Sequence, residues 1–122
     1  MRKNVSRKKI FEIINYVKKY SDIEIRTFYI VGMPEETHET LQDTYNMIVE
    51  TDVNIPMISN LMPFYGTEVF EQCLRDSLFT EEVDVNKLWC NSNFYLSSKK
   101  FYVKPYKLEI QDLINFRKKV GI

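Results

Sequence analysis

The stretch "YIVGMPEETHET", residues 29–40, leaves an apolar run through Gly and Pro and enters an acidic, Thr-containing segment. The run that leads into it, "IEIRTFYIV" at 23–31, is β-branched and aromatic and becomes apolar on both faces, which predicts a strand covered on both sides, as in a parallel sheet. A helix is expected to begin near Thr37, a suitable N-cap residue. The stretch therefore predicts a loop at the carboxyl end of a parallel strand, where α/β folds bind ligands.

A second strand, loop and helix follow about thirty residues later. "IPMISNLM", 55–62, predicts a strand, with Pro56 near its start, where no ladder donor is needed. "PFYGT", 63–67, predicts the turn, and the helix after it places Phe70 and Cys73 on one apolar stripe. With a first helix over 6–20 and a last helix that ends at Gly121, the order helix, strand, helix, strand, helix predicts βα units around a parallel sheet.

The sequence contains fewer strands than such a sheet needs. Two parallel strands do not make a stable sheet, and each leaves an exposed edge. Either "NFYL", 93–96, or "FYVKPY", 101–106, adds a strand, or another chain does, or the chain is part of a larger barrel. All three explanations stay open on the sequence.

The composition and net charge of the chain are those of an ordinary globular protein. Of 122 residues, 44% are hydrophobic, and seventeen basic residues balance seventeen acidic ones, so we expect one compact domain and no nucleic-acid patch. No apolar run is long enough to cross a bilayer and no signal peptide is evident, so we expect a cytoplasmic protein. Cys73 and Cys90 fit no metal or disulfide pattern, and Cys73 is expected to be a buried free thiol.

The two loops, in this order and at this spacing, resemble those of the radical S-adenosylmethionine (SAM) enzymes, in particular the branch with cobalamin-binding and methylthiotransferase-type members. Those enzymes typically read "GLPGET" after the fifth strand of a partial (β/α)6 barrel and "PYPGT" after the sixth. Here "GMPEET", 32–37, and "PFYGT", 63–67, match. The resemblance implies an α/β fold, the C-terminal part of a partial (β/α)6 TIM-like barrel, with half-barrel units over 1–80 and a post-barrel extension with a C-terminal helix over 81–122.

The chain departs from the family in four respects. Glu35 stands where the family usually has Gly, and Tyr65 replaces the second Pro of the later motif. The C-x-x-x-C-x-x-C motif, whose thiolates hold the [4Fe–4S] cluster in these enzymes, is absent, and two cysteines cannot supply it. The Gly-Gly-Glu segment that grips the methionyl amine of SAM is absent too. The resemblance therefore implies a fragment that is inactive alone.

In such enzymes the fifth strand and its loop line the adenosine side of SAM. The resemblance implies that Ile30 and Val31 offer apolar or backbone contacts near adenine and that Gly32 permits close approach. Glu36 matches the family glutamate, whereas Glu35 stands at the Gly-x-x-Glu spacing of other branches, and both stay candidates. Acidic residues at a helix N-terminus are also common caps, which is the structural alternative for both.

The second loop completes the implied site, because Met62 and Pro63 would close the rim after the second strand. The intact enzyme would use SAM and a [4Fe–4S] cluster, and cobalamin is a further cofactor in part of the branch. The implied partner is the N-terminal half of the barrel, in the same gene or a separate chain. No catalytic or metal-binding residue is assigned within this chain.

Three hypotheses follow from the sequence. The first is a fragment of a radical SAM enzyme, which cleaves SAM reductively only in the intact protein. The second is a non-catalytic α/β module that associates, for example as a homodimer that completes its sheet. The third is an unrelated α/β binding domain in which the glutamates are merely caps.

Overall fold

The structure, a computed structural model, describes residues 5–80, 83–85 and 100–121. Its elements are, in chain order, α1 (Arg7–Tyr20), β1 (Arg26–Val31), α2 (His38–Thr51), β2 (Ile55–Asn60), α3 (Glu68–Arg75) and α4 (Ile110–Val120). The predicted α/β class and the predicted order of helices and strands are confirmed.

Side-chain caps set the first residue of three helices. The Ser6 hydroxyl accepts from the Lys9 backbone N–H at 3.1 Å, and the Thr67 hydroxyl accepts from the Phe70 N–H at 3.2 Å. Thr37 and Thr40 form a reciprocal capping box at the start of α2. Each bond satisfies a backbone N–H that has no partner within the helix, which is why the helices begin where the sequence predicted.

The two strands pair in parallel from Arg26 opposite Ile55 to Val31 opposite Asn60. Two further backbone bonds extend the ladder at its ends, from Ile55 N–H to Ile25 O at 3.1 Å and from Leu61 N–H to Val31 O at 2.8 Å. Since the strands are parallel, the loops that follow them leave from the same edge of the sheet.

α2 and α4 cover one face of this sheet. Val31 and Ile58 are buried there against Leu41 of α2 and against Leu113 and Phe116 of α4. Burial of this set removes several large aliphatic and aromatic side chains from water, each worth about 1.5–3 kcal/mol. α4 is thus part of the core of the βα units, although it lies in the segment predicted as a post-barrel extension; the boundary at residue 80 stays a prediction.

The opposite face of the sheet is open in the part of the chain that the structure describes. Phe28 is 71% exposed, Ile30 42% and Met57 41%. The expectation that the first strand is covered on both sides is therefore met on one side only. Alternation of side chains along β1 explains the difference, because residues 27, 29 and 31 point to the helices while 28 and 30 point away.

A second core lies between α3 and the segment before α4. It contains Phe70 and Cys73 of α3 together with Leu78, Tyr102 and Val103. Val103 forms an isolated antiparallel bridge with Phe79, so residues 101–106 do not add a strand. The other candidate, 93–96, lies outside the described residues, as does Cys90. Within the described ranges, no helix is at once long and apolar enough to cross a membrane.

Candidate functional site

The candidate site lies at the carboxyl edge of the sheet, where the two predicted loops leave their strands. The Leu61 N–H that donates to the Val31 carbonyl joins the first residue after β2 to the last residue of β1. The motifs "GMPEET" and "PFYGT" therefore begin side by side, as the parallel-strand argument predicted.

Gly32 has a backbone conformation that suits glycine. Its φ is +91°, in the region that side chains disfavour. Space is not the constraint, because a Cβ placed there would first meet Leu113 Cδ1 at an ordinary 3.6 Å. The turn it opens is closed by the Glu36 N–H, which donates to the Met33 carbonyl at 2.9 Å. The fold itself therefore accounts for the glycine, with or without a ligand.

Glu36 is buried inside its own loop, with 7% of its surface exposed. One carboxylate oxygen accepts from the Gly32 N–H at 3.2 Å, and the other accepts from the Thr40 hydroxyl. Buried carboxylates need such partners, because burial without them costs several kcal/mol. Glu36 thus fastens the turn to the first residues of α2, and its oxygens are already occupied.

Glu35 points to the surface instead. Its carboxylate accepts from the Gln72 side-chain amide of α3 at 2.7 Å, and the same amide nitrogen donates to the Tyr106 hydroxyl oxygen at 3.1 Å. The Tyr106 hydroxyl in turn donates to Asp76, which also pairs with Arg75 at 3.1 Å. We call these five residues the Tyr106 network.

Charge and hydrogen bonding inside the Tyr106 network shift two pKa values in opposite directions. Hydrogen bonds from Arg75 and then from Tyr106 lower the pKa of Asp76, whereas donation to Asp76 raises the pKa of Tyr106. The Tyr106 backbone N–H also donates to the Pro34 carbonyl at 3.0 Å. Through this residue, the segment before α4 holds the first loop against α3.

Sequence reasoning missed the roles of Gln72, Asp76 and Tyr106. Tyr106 lies 34 positions from Gln72 and 30 from Asp76, and no periodicity or motif links polar residues at such distances. Only the contact between the tail and the loop, which depends on the tertiary fold, brings them together.

The seven predicted site residues differ in how exposed they are. Some keep accessible surface: Ile30, Glu35 and Met62. The others are buried within the described chain: Val31, Gly32, Glu36 and Pro63. Ile30 lies on the open face of the sheet, opposite Ser59 of β2, and Met62 is half-buried against the second core. Ile30, Glu35 and Met62 are thus the members whose side chains keep exposed surface, and the assignment of the seven residues to a ligand site stays a prediction.

The residues present do not fit an iron–sulfur cluster. Such clusters need several thiolates, and this chain has two cysteines. Burial, and then the negative charges of Glu35 and Asp76, raise the pKa of Cys73 to about 11, which opposes thiolate formation. Nor do the described ranges contain a group of three or more His, Cys, Asp or Glu side chains placed to hold a metal ion.

Comparison with known proteins gives one partial similarity. No protein-family model matches the chain. Over 73 residues it is 30% identical to the bacteriochlorophyllide d C-12(1)-methyltransferase of Chlorobaculum tepidum. The matched part is 59% of this chain and 16% of that protein, so this chain spans only a small part of the relative's length.

Proposed function

We propose that this chain is the C-terminal part of the partial (β/α)6 barrel of a radical SAM iron–sulfur enzyme and forms the wall beside the adenosine of SAM. The observation that carries the proposal is the adjacency of the two motif loops at the carboxyl edge of two parallel strands, which is where α/β barrels place their sites. The chain alone is inactive in this proposal, because it lacks the cluster cysteines.

The partial similarity supports the idea of a piece of a larger enzyme. The relative is by name a methyltransferase, and methyl transfer is a reaction in which SAM can serve as donor. The match accounts for 16% of that protein, so most of its length has no counterpart here. The substrate and the reaction of the intact protein stay outside the proposal.

The open face of the sheet supplies the surface for the adenosine. Ile30 presents an apolar side chain at the last exposed position of β1, next to the loop that begins at Gly32. An adenine ring can lie against such an aliphatic surface and exclude water from it. Glu36 keeps the loop backbone fixed beside it through its bonds to Gly32 and Thr40. When bound, SAM supplies the sulfonium–carbon bond that reductive cleavage breaks.

The alternative is a non-catalytic module that associates through its incomplete sheet. Exposure of Phe28, Ile30 and Met57 on one face favours it, because apolar patches of this kind often mark interaction surfaces. Light scattering after size-exclusion chromatography separates the two ideas. A stable two-fold dimer that buries these residues supports the association module and removes the surface assigned to adenosine.

A titration of the ¹⁵N-labelled chain with millimolar SAM tests the proposed function. We expect weak binding, with amide shift changes concentrated at Ile30, Gly32, Ser59 and Met62. Ile30→Glu should weaken binding at least tenfold, because it puts a charge on the apolar wall, a cost of about 1.4 kcal/mol or more.

His38→Ala is the matched control, since His38 is exposed at the start of α2. It should leave the titration unchanged. Shift changes confined to other parts of the chain, no change at the four named amides, or equal binding by Ile30→Glu would each contradict the adenosine-wall assignment.

A further inference from the structure

The two outer edges of the sheet differ. In β2, the backbone groups of residues 55 and 61 point to β1, so those of the alternate residues 56, 58 and 60 point to the outer edge. Pro56 has no N–H. The Ile58 carbonyl accepts from the Arg117 guanidinium of α4 at 3.2 Å, and the Asn60 side chain donates to the Lys100 carbonyl at 2.9 Å.

The Arg117 side chain covers part of this edge of β2. Its guanidinium reaches both the Ile58 carbonyl and the Asn60 side-chain oxygen at 3.2 Å, and burial lowers its pKa. A strand that approached β2 would have to displace this side chain and the segment that begins at Lys100. Proteins commonly protect sheet edges in this way, with a missing N–H, a charged side chain or a covering segment.

The outer edge of β1 has no such protection. By the same alternation, the backbone groups of Phe28 and Ile30 point away from β2. The register of the sheet gives them no bond to β2, and neither takes part in a loop or turn bond among the described residues. Their side chains, both substantially exposed, belong to the open apolar face. An unpaired backbone edge and an uncovered apolar face thus occur on the same strand.

We infer that the outer edge of β1 is the docking site for one added strand, which runs parallel to β1 and comes from polypeptide outside this chain. The direction follows from the chain's own crossover: α2 leads into β2 after three residues, and β2 is parallel to the strand that precedes α2. α1 leads into β1 in the same way, after five residues, so the strand before α1 is expected to run parallel to β1. The added strand would carry apolar side chains at alternate positions, on the side of Phe28 and Ile30.

The identity of this strand as part of the barrel's other half rests on the proposed function, but its position and direction do not. A second copy of this chain is a different occupant. Two copies related by a two-fold axis would pair their β1 strands antiparallel, which the crossover argument disfavours.

Amide hydrogen exchange on the monomeric chain tests the open edge. Phe28 and Ile30 should exchange about 100-fold or more faster than Tyr29 and Val31, whose backbone groups face β2. Equal protection of all four amides in a monomer would overturn the inference, because a partner would then exist within the chain. Protection of Phe28 and Ile30 that grows with protein concentration would overturn it too, in favour of a second copy.

A fused strand tests the direction. A nine-residue alternating Val/Thr segment and a short Gly-Ser linker are encoded before Ser6, so that the segment can reach β1 only as a parallel neighbour through α1. The fusion should stay monomeric and slow the exchange of Phe28 and Ile30 at least tenfold. The same segment interrupted by prolines is the control and should not slow it. Failure of the uninterrupted segment to protect these amides, while the chain stays folded, would overturn the inference.

Neither experiment uses SAM, so the two proposals fail separately. Rapid exchange at Phe28 and Ile30 together with no SAM-dependent shifts would reject the proposed function and leave the docking edge intact. Protected amides at Phe28 and Ile30 together with SAM-dependent shifts at the first loop would reject the docking edge and leave the proposed function intact.

Discussion

At the scale of single residues, two adjacent glutamates show that a motif match does not predict which side chain is buried. Glu35 and Glu36 both match family spacings, and residue type and spacing alone offer no basis for choosing between them. The structure separates them physically: Glu36 is buried and binds the Gly32 N–H and the Thr40 hydroxyl, whereas Glu35 is exposed and reaches Gln72. Burial depends on how the turn closes, which local residue types do not specify.

This separation predicts unequal costs of substitution. Glu36→Ala should lower the free energy of unfolding by about 1–3 kcal/mol, because the buried Gly32 N–H loses its acceptor. Glu35→Ala should lower it by less than about 0.5 kcal/mol, as expected for an exposed side chain. Urea unfolding of both variants measures the difference. A larger loss for Glu35→Ala would show that the loop is held in another way.

The raised pKa of Cys73 predicts how the free energy of unfolding changes with pH. Because its pKa rises from 9.0 in an unfolded chain to about 11 in the fold, the folded state keeps the proton longer. The contribution of this thiol to stability is therefore complete below pH 9 and is lost as the pH rises through 11. In a Cys90→Ser background, unfolding free energies should fall more steeply over this range than those of the matched Cys73→Ala variant.

Thiol chemistry gives an independent check on Cys73. In the same Cys90→Ser background, the buried thiol should react with iodoacetamide at pH 8 far more slowly than the urea-unfolded chain does. Equal rates, or equal pH slopes for the two variants, would mean that Cys73 is accessible and ionises normally.

At the scale of elements, the sequence predicted most of what the structure contains. The cap at Thr37 and the stop at Gly121 are local signals, and each falls on the helix end that it predicted. Residues 101–106 resembled a strand because they are aromatic, yet Tyr102 and Val103 pack into the second core with α3. Phe101 packs against the first core, and the bridge from Val103 to Phe79 is isolated. Apolar composition alone does not say what a segment packs against.

The two faces of the sheet should respond differently to substitution. Phe28→Thr should change the unfolding free energy by less than about 0.5 kcal/mol, because Phe28 is exposed and Thr favours a strand. Ile58→Ala, on the covered face, should cost about 2–5 kcal/mol through loss of buried contacts and the cavity left behind. Chemical unfolding measures both. A cost above 2 kcal/mol for Phe28→Thr would mean that the open face is covered in the folded chain.

At the scale of the whole molecule, the shortage of strands is the property that sequence and structure share. The described residues form a sheet of two strands, with one edge closed by Arg117 and the other unpaired along Phe28 and Ile30. Sequence counting could predict that the sheet has few strands. It could not predict which edge is left unpaired among the described residues, because that depends on where α4 packs.

The nucleotide sequence of the full transcript that carries this reading frame tests the central claim most directly. If the chain is the C-terminal part of a radical SAM barrel, the transcript encodes further βα units upstream, in this frame or a neighbouring one, and a C-x-x-x-C-x-x-C motif after the first of their strands. A stop codon before Met1, with no such motif in any neighbouring frame, would contradict the claim.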